Sequence, residues 1–74
     1  MKYSADLGRW ERGIVIEFEA DYAEAAVSRA RSILREKCEA GELDEDAIVV
    51  QIHNDDGDVV FDYMNGIFPK FRFP

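Results

Sequence analysis

Apolar and polar residues alternate strictly from Gly13 to Ala20. Ile14, Ile16, Phe18 and Ala20 fall on one side; Val15, Glu17 and Glu19 fall on the other. A period of two with β-branched residues predicts a half-buried strand. The same period returns from Ala47 to His53, with Ile48, Val50 and Ile52 on one face and Val49, Gln51 and His53 on the other. It returns again from Asp58 to Met64, where Val59, Phe61 and Tyr63 share a face and Asp62 points outward. Tyr3, Ala5 and Leu7 also alternate, so residues 2–7 predict a short strand that pairs with the next as a hairpin, before Gly8-Arg9 breaks the run. Ile67 to Phe73 reads as a last strand, confined to an edge because Pro69 has no N–H for a ladder. Otherwise residues 67–74 form an extended aromatic tail.

The period changes at Asp21. Ala23, Ala26, Val27, Ala30, Ile33 and Leu34 form one stripe at 100° per residue, which predicts a helix from Asp21 to about Ala40. Asp21 suits the N-cap and Glu24 completes a capping-box-like pair. Gly41 suits a left-handed ending. Glu24, Arg31, Arg35 and Glu39 line the opposite face, where Arg35 and Glu39 are spaced to pair. Alanine at the start of the stripe allows close approach to a sheet. Asn54-Asp55-Asp56-Gly57 and Asn65-Gly66 are turn signals. The 74 residues hold one small domain, 1–74. Its expected class is α+β: a β-α-β-β(-β) order with one amphipathic helix on a three- to four-stranded, mostly antiparallel sheet.

Composition narrows the setting. An apolar content of 47% is enough to fold, and no apolar run reaches the length of a membrane span. No apolar stretch follows Met1-Lys2-Tyr3-Ser4, so no secretory signal is read. Cys38 is the single cysteine, which excludes an intramolecular disulfide and fits a reducing cytoplasm. A domain of this size buries only about 60% of its unfolded surface, which makes a partner or a second copy the expected source of added stability.

The net charge of −7 is unevenly placed. Residues 1–37 carry seven basic and seven acidic groups; residues 38–69 carry nine acids and neither lysine nor arginine. Lys70 and Arg72 complete the sum.

Catalytic chemistry finds little support. Asn54-Asp55-Asp56-Gly57-Asp58 resembles a calcium loop, but Ile52 and Tyr63 occupy its first and last ligand positions, so it reads as an acidic turn. Most of the carboxylates fall in turns or on polar faces, which does not suggest the buried neutral carboxyl beside an ionised one that acid–base catalysis needs. Cys38 sits near a helix C-terminus, where the dipole disfavours a thiolate. His53 can meet Asp55 but has no nucleophile beside it. Phosphate loops and Ser–His–Asp patterns are absent, and so short a chain is not expected to shape a pocket of about 300 Å³. The reading is non-enzymatic, without metal or cofactor. In the tail, Phe68, Phe71 and Phe73 interleave with Lys70 and Arg72, a pattern that stacks on single strands. The nine acids oppose direct nucleic-acid binding. Exposed Trp10, Phe68, Phe71 or Phe73 suits a protein contact instead.

Carboxylates that stand in for phosphates suit a basic nucleic-acid-binding protein or complex. Glu42, Asp44, Glu45, Asp46, Asp55, Asp56, Asp58 and Asp62 are the expected partner-binding residues. Small size, strong acidity, a minimal α+β plan and no catalytic set are together similar to the anti-CRISPR inhibitor proteins of phages and mobile elements. Acidic antitoxins and nuclease immunity proteins share that character. The resemblance implies a DNA-mimicking viral inhibitor. The alternative is a small homodimeric bacterial domain with a structural or interaction role, its acidity serving solubility.

Overall fold

A computed structural model describes residues 1–9 and 12–69, with Arg12 described by its backbone alone. Trp10 and residues 70–74, and with them most of the predicted last strand, lie outside the described residues. Strands β1 (Lys2–Arg9) and β2 (Arg12–Glu19) lead to helix α1 (Ala23–Glu39), followed by β3 (Ile48–Asn54) and β4 (Val59–Asp62). They make an α+β fold: one helix on a four-stranded antiparallel sheet of order β2-β1-β3-β4. Among these residues no helix is long and apolar enough to cross a membrane.

The first strand is one of the two inner strands of the sheet. It pairs with β2 from Lys2↔Glu19 to Arg9↔Arg12 without a break. Its other side pairs with β3, from Tyr3↔Asn54 to Gly8↔Ile48. The break expected at Gly8-Arg9 does not occur. Gly8 continues the strand at φ 133, a conformation that a side chain would strain.

The helix begins without the predicted capping box. Its N-cap is Tyr22, and no side chain caps it. The first turn is secured by packing of the alanine stripe rather than by Asp21. Ala26, Val27 and Ala30 are buried, and Ile33 and Leu34 are half-buried beside them. The C-terminus follows expectation. Gly41 at φ 76 donates its N–H to the Cys38 carbonyl (3.1 Å), and the Glu42 N–H reaches the Lys37 carbonyl (2.9 Å). These two bonds form a Schellman motif that satisfies carbonyls left open at the helix end. Arg35 and Glu39 do not pair; the ion pair at this end joins Lys37 to Glu42 at 3.2 Å.

Two bulges rearrange the predicted faces. Asp6 faces Gln51 but Leu7 faces Val49, so Val50 is an extra residue in β3. Val49 and Ile52 therefore both enter the core, where strict alternation had placed them apart. In β4, Phe61 faces Ile52 and Val59 faces His53, with Val60 between them unpaired and packed on the core. Tyr3, Ala5, Leu7, Phe18, Val49, Ile52 and Phe61 form the buried face, closed by α1 and by Leu43 from the loop after it. The Tyr3 and Phe18 rings stack at 6.1 Å across β1 and β2. Each fully buried large side chain contributes roughly 1.5–3 kcal/mol. Of the expected last strand, the described residues show the bridge Asp62↔Ile67.

Candidate functional site

The acids of the C-terminal half are divided by the fold. Glu42, Asp44, Glu45 and Asp46 lie in the loop that leads into β3. Asp55, Asp56 and Asp58 lie in the hairpin that leaves it. The seven residues of β3, at about 3.3 Å each, hold the two groups roughly 20 Å apart. One continuous acidic segment thus becomes two clusters at opposite ends of the sheet.

The loop cluster is partly neutralised. Asp46 pairs with Arg9 and Glu42 with Lys37. Leu43, unremarked within its acidic run, is 8% exposed and pins the loop to the core. The Ala47 N–H bonds to the Asp44 carbonyl (3.0 Å), and the Cys38 thiol donates to the same carbonyl at 3.4 Å. Half-buried Cys38 therefore helps fold the loop.

The hairpin cluster is different. Asn54 Oδ1 accepts the backbone N–H groups of Asp56 (3.0 Å) and Asp58 (2.9 Å). Backbone bonds from Gly57 to Asn54 (3.1 Å) and from Asn54 to Asp58 (2.9 Å) close the turn. Asp55, Asp56 and Asp58 are exposed, and among the described residues no cation pairs with them. Glu17 of β2 borders the same hollow as Asp55, together with Lys2, Ser4 and Asn54. Glu17 pairs with Lys2 at 3.8 Å. Counting charge along the chain missed Glu17, because it belongs to the neutral half. Only the placement of β1 between β2 and β3 brings it to this end.

Asp62 corrects an expectation. It lies opposite Gln51 on the face away from the helix, yet it is 4% exposed. Its Oδ2 accepts from Asn65 Nδ2 (2.8 Å) and Gln51 Nε2 (2.9 Å), and its Oδ1 from the Asn65 N–H (3.1 Å). Asn65, read as a turn residue alone, folds back over it. The side-chain amides of Asn65 and then Gln51 hold this carboxyl below its ordinary range, against a smaller opposing effect of burial. Asp62 is a structural acceptor, out of reach of a docking partner. A carboxyl with a lowered pKa stabilises the fold above its unfolded value of about 4 and loses that contribution as pH falls through the folded value. Asp62→Asn is accordingly expected to be less stable than the parent at pH 7. The gap should close in acid, as urea midpoints at pH 7 and near pH 2 would report.

The face of the sheet away from the helix holds a hollow of about 440 Å³, lined by Asp6, Gly8, Gly13, Ile48, Val50 and Met64 among others. A space this large was not expected of so short a chain. It exists because Gly8 and Gly13 sit opposite one another and leave the sheet bare there. The charged residues at its rim are Asp6 and the mutually paired Arg9 and Asp46. Half-buried His53 faces Ser4 and Val59 across the sheet and makes no ion pair with Asp55 among the described residues. No group of His, Cys, Asp and Glu among the described residues could hold a metal. Phe68 is exposed and meets Phe61 edge-on at 5.3 Å. Trp10, Phe71 and Phe73 lie outside the described residues.

Comparison with protein-family models, with curated proteins and with solved structures finds no match.

Proposed function

We propose that the chain is a non-enzymatic inhibitor that binds a basic nucleic-acid-binding protein or complex, its carboxylates taking the place of phosphates in the manner of acidic anti-CRISPR proteins. The observation that carries this reading is the β3–β4 hairpin, where Asp55, Asp56 and Asp58 are exposed without a cation partner among the described residues. The double acceptor Asn54 fixes the backbone that presents them. Carboxylates held in place before binding lose little freedom on docking. Of the eight acids expected to bind, these three carry the reading. The loop residues Glu42, Asp44, Glu45 and Asp46 have no place in it, since they occupy the opposite end of the sheet, and Asp62 is covered.

The test is capture of partners by the tagged chain from nuclease-treated lysate, followed by elution with either salt or duplex DNA. Both should release the partner, because salt screens exposed charges and DNA competes for the same basic surface. Changing Asp55, Asp56 and Asp58 together to Asn should leave the circular dichroism spectrum unchanged and slow association roughly tenfold or more at low salt. Undiminished association by that variant, or capture indifferent to both salt and DNA, would remove the basis for the proposal.

A further inference from the structure

The two edges of the sheet are finished differently. Strand β4 has four residues, carries a bulge, and is followed by a turn that closes on Asp62 through Ile67. A short, interrupted edge of this kind resists pairing with another chain. Strand β2 has eight residues and an unbroken register with β1. Among the described residues its outer side meets no strand, and α1 lies over β3 and β1 rather than over it.

The ladder shows which groups β2 leaves free. Met1 and Ala20 exchange both backbone hydrogen bonds, at 2.9 and 3.0 Å. Antiparallel pairs alternate between bonded and non-bonded. Counting from Ala20 along the register, Phe18, Ile16 and Ile14 bond to β1, while Gly13, Val15, Glu17 and Glu19 turn their N–H and C=O groups outward.

We propose that this edge pairs antiparallel with β2 of a second copy about a twofold axis at Ile16, joining two four-stranded sheets into one. Such an axis is perpendicular to the sheet and keeps each helix on the same side. Residues that oppose one another must then share a face, so the axis passes through a residue and not between two. Placed at Ile16, it sets Val15 against Glu17 and Gly13 against Glu19 of the second copy, so every outward residue of both strands is bonded. Placed at Glu17, it would set like charges directly opposite, which is destabilising. On the helix side, Ile16 meets its own copy and Ile14 meets Phe18. Ile14 and Ile16 are only partly buried within one copy and gain cover there. On the other side, Val15, 69% exposed, is covered by the aliphatic stem of the second copy's Glu17. This pairing uses β2 alone and does not depend on the role proposed for the Asp55–Asp58 hairpin.

Sedimentation equilibrium of the Cys38→Ser chain should show a concentration-dependent dimer. Val15→Pro removes one outward N–H from each copy without breaking a bond to β1. It should weaken the dimer about thirtyfold, for two lost hydrogen bonds, with the monomer's circular dichroism retained. Ile16→Cys in the same background gives a trap that does not require the proline variant to fold. A non-bonded antiparallel pair has Cα atoms about 4.5 Å apart, within disulfide reach, so mild oxidation should yield a covalent dimer. Val15→Cys should not cross-link to itself. A monomer at every soluble concentration, a dimer indifferent to Val15→Pro, or cross-linking by Val15→Cys in place of Ile16→Cys would overturn the proposal.

Discussion

Ile52→Ala is expected to destabilise the domain by about 2–5 kcal/mol, the range for truncating a fully buried aliphatic side chain. Ile52 is 0% exposed and lies between Ala5 of β1 and Phe61 of β4. Its removal opens a cavity at the middle of the sheet, where three strands are held in register and cannot close inward. A domain of this length has a total stability on the order of 4–11 kcal/mol. The variant should therefore be partly unfolded at 37 °C, with a urea midpoint reduced by about half. A loss below about 1 kcal/mol would mean that the neighbouring side chains refill the space.

The second large effect comes from adding volume. Ala26 and Ala30 are both 0% exposed where α1 rests on the sheet. With only methyl groups between them, helix and sheet approach closely at this level. Ala30→Leu adds three carbons with nowhere to go, and is expected to cost about 1–3 kcal/mol. The symptom should differ from that of the cavity. Far-UV circular dichroism should persist while the packing of the core aromatics Tyr3, Phe18 and Phe61 is disturbed, seen as a weakened near-UV signal. An unchanged near-UV spectrum and unfolding midpoint would show that α1 has room to rise.

Period and turn chemistry made much of this fold legible. Ile14, Ile16 and Phe18 marked the buried side of β2, the alanine stripe marked the buried side of α1, and Gly41 marked its end. Legibility failed where a long-range neighbour decided the outcome. An extra residue such as Val50 leaves no trace in a hydrophobic pattern, so Val49 and Ile52 were assigned to opposite faces. Gly8 read as a breaker because nothing local shows that β3 will pair beside it. Asp62 read as an outward charge because the return of Asn65 depends on the turn that follows. At the hairpin, the exposure of Asp55, Asp56 and Asp58 followed from turn chemistry alone. The approach of Glu17 required the strand order, which no local pattern encodes.

That strand order also imposes a sequence of events on folding. The β1–β2 hairpin joins neighbours in the chain and can form within about 1–10 μs. The other side of β1 must wait for β3, since Tyr3 meets Asn54 across the whole length of β2 and α1. Closing so long a loop is entropically slow compared with the hairpin. During synthesis, the hairpin would leave the ribosome with Tyr3, Leu7, Ile14 and Phe18 uncovered until Ile52 arrives. The vulnerable interval in the life of this protein is therefore the time needed to translate the helix and the third strand.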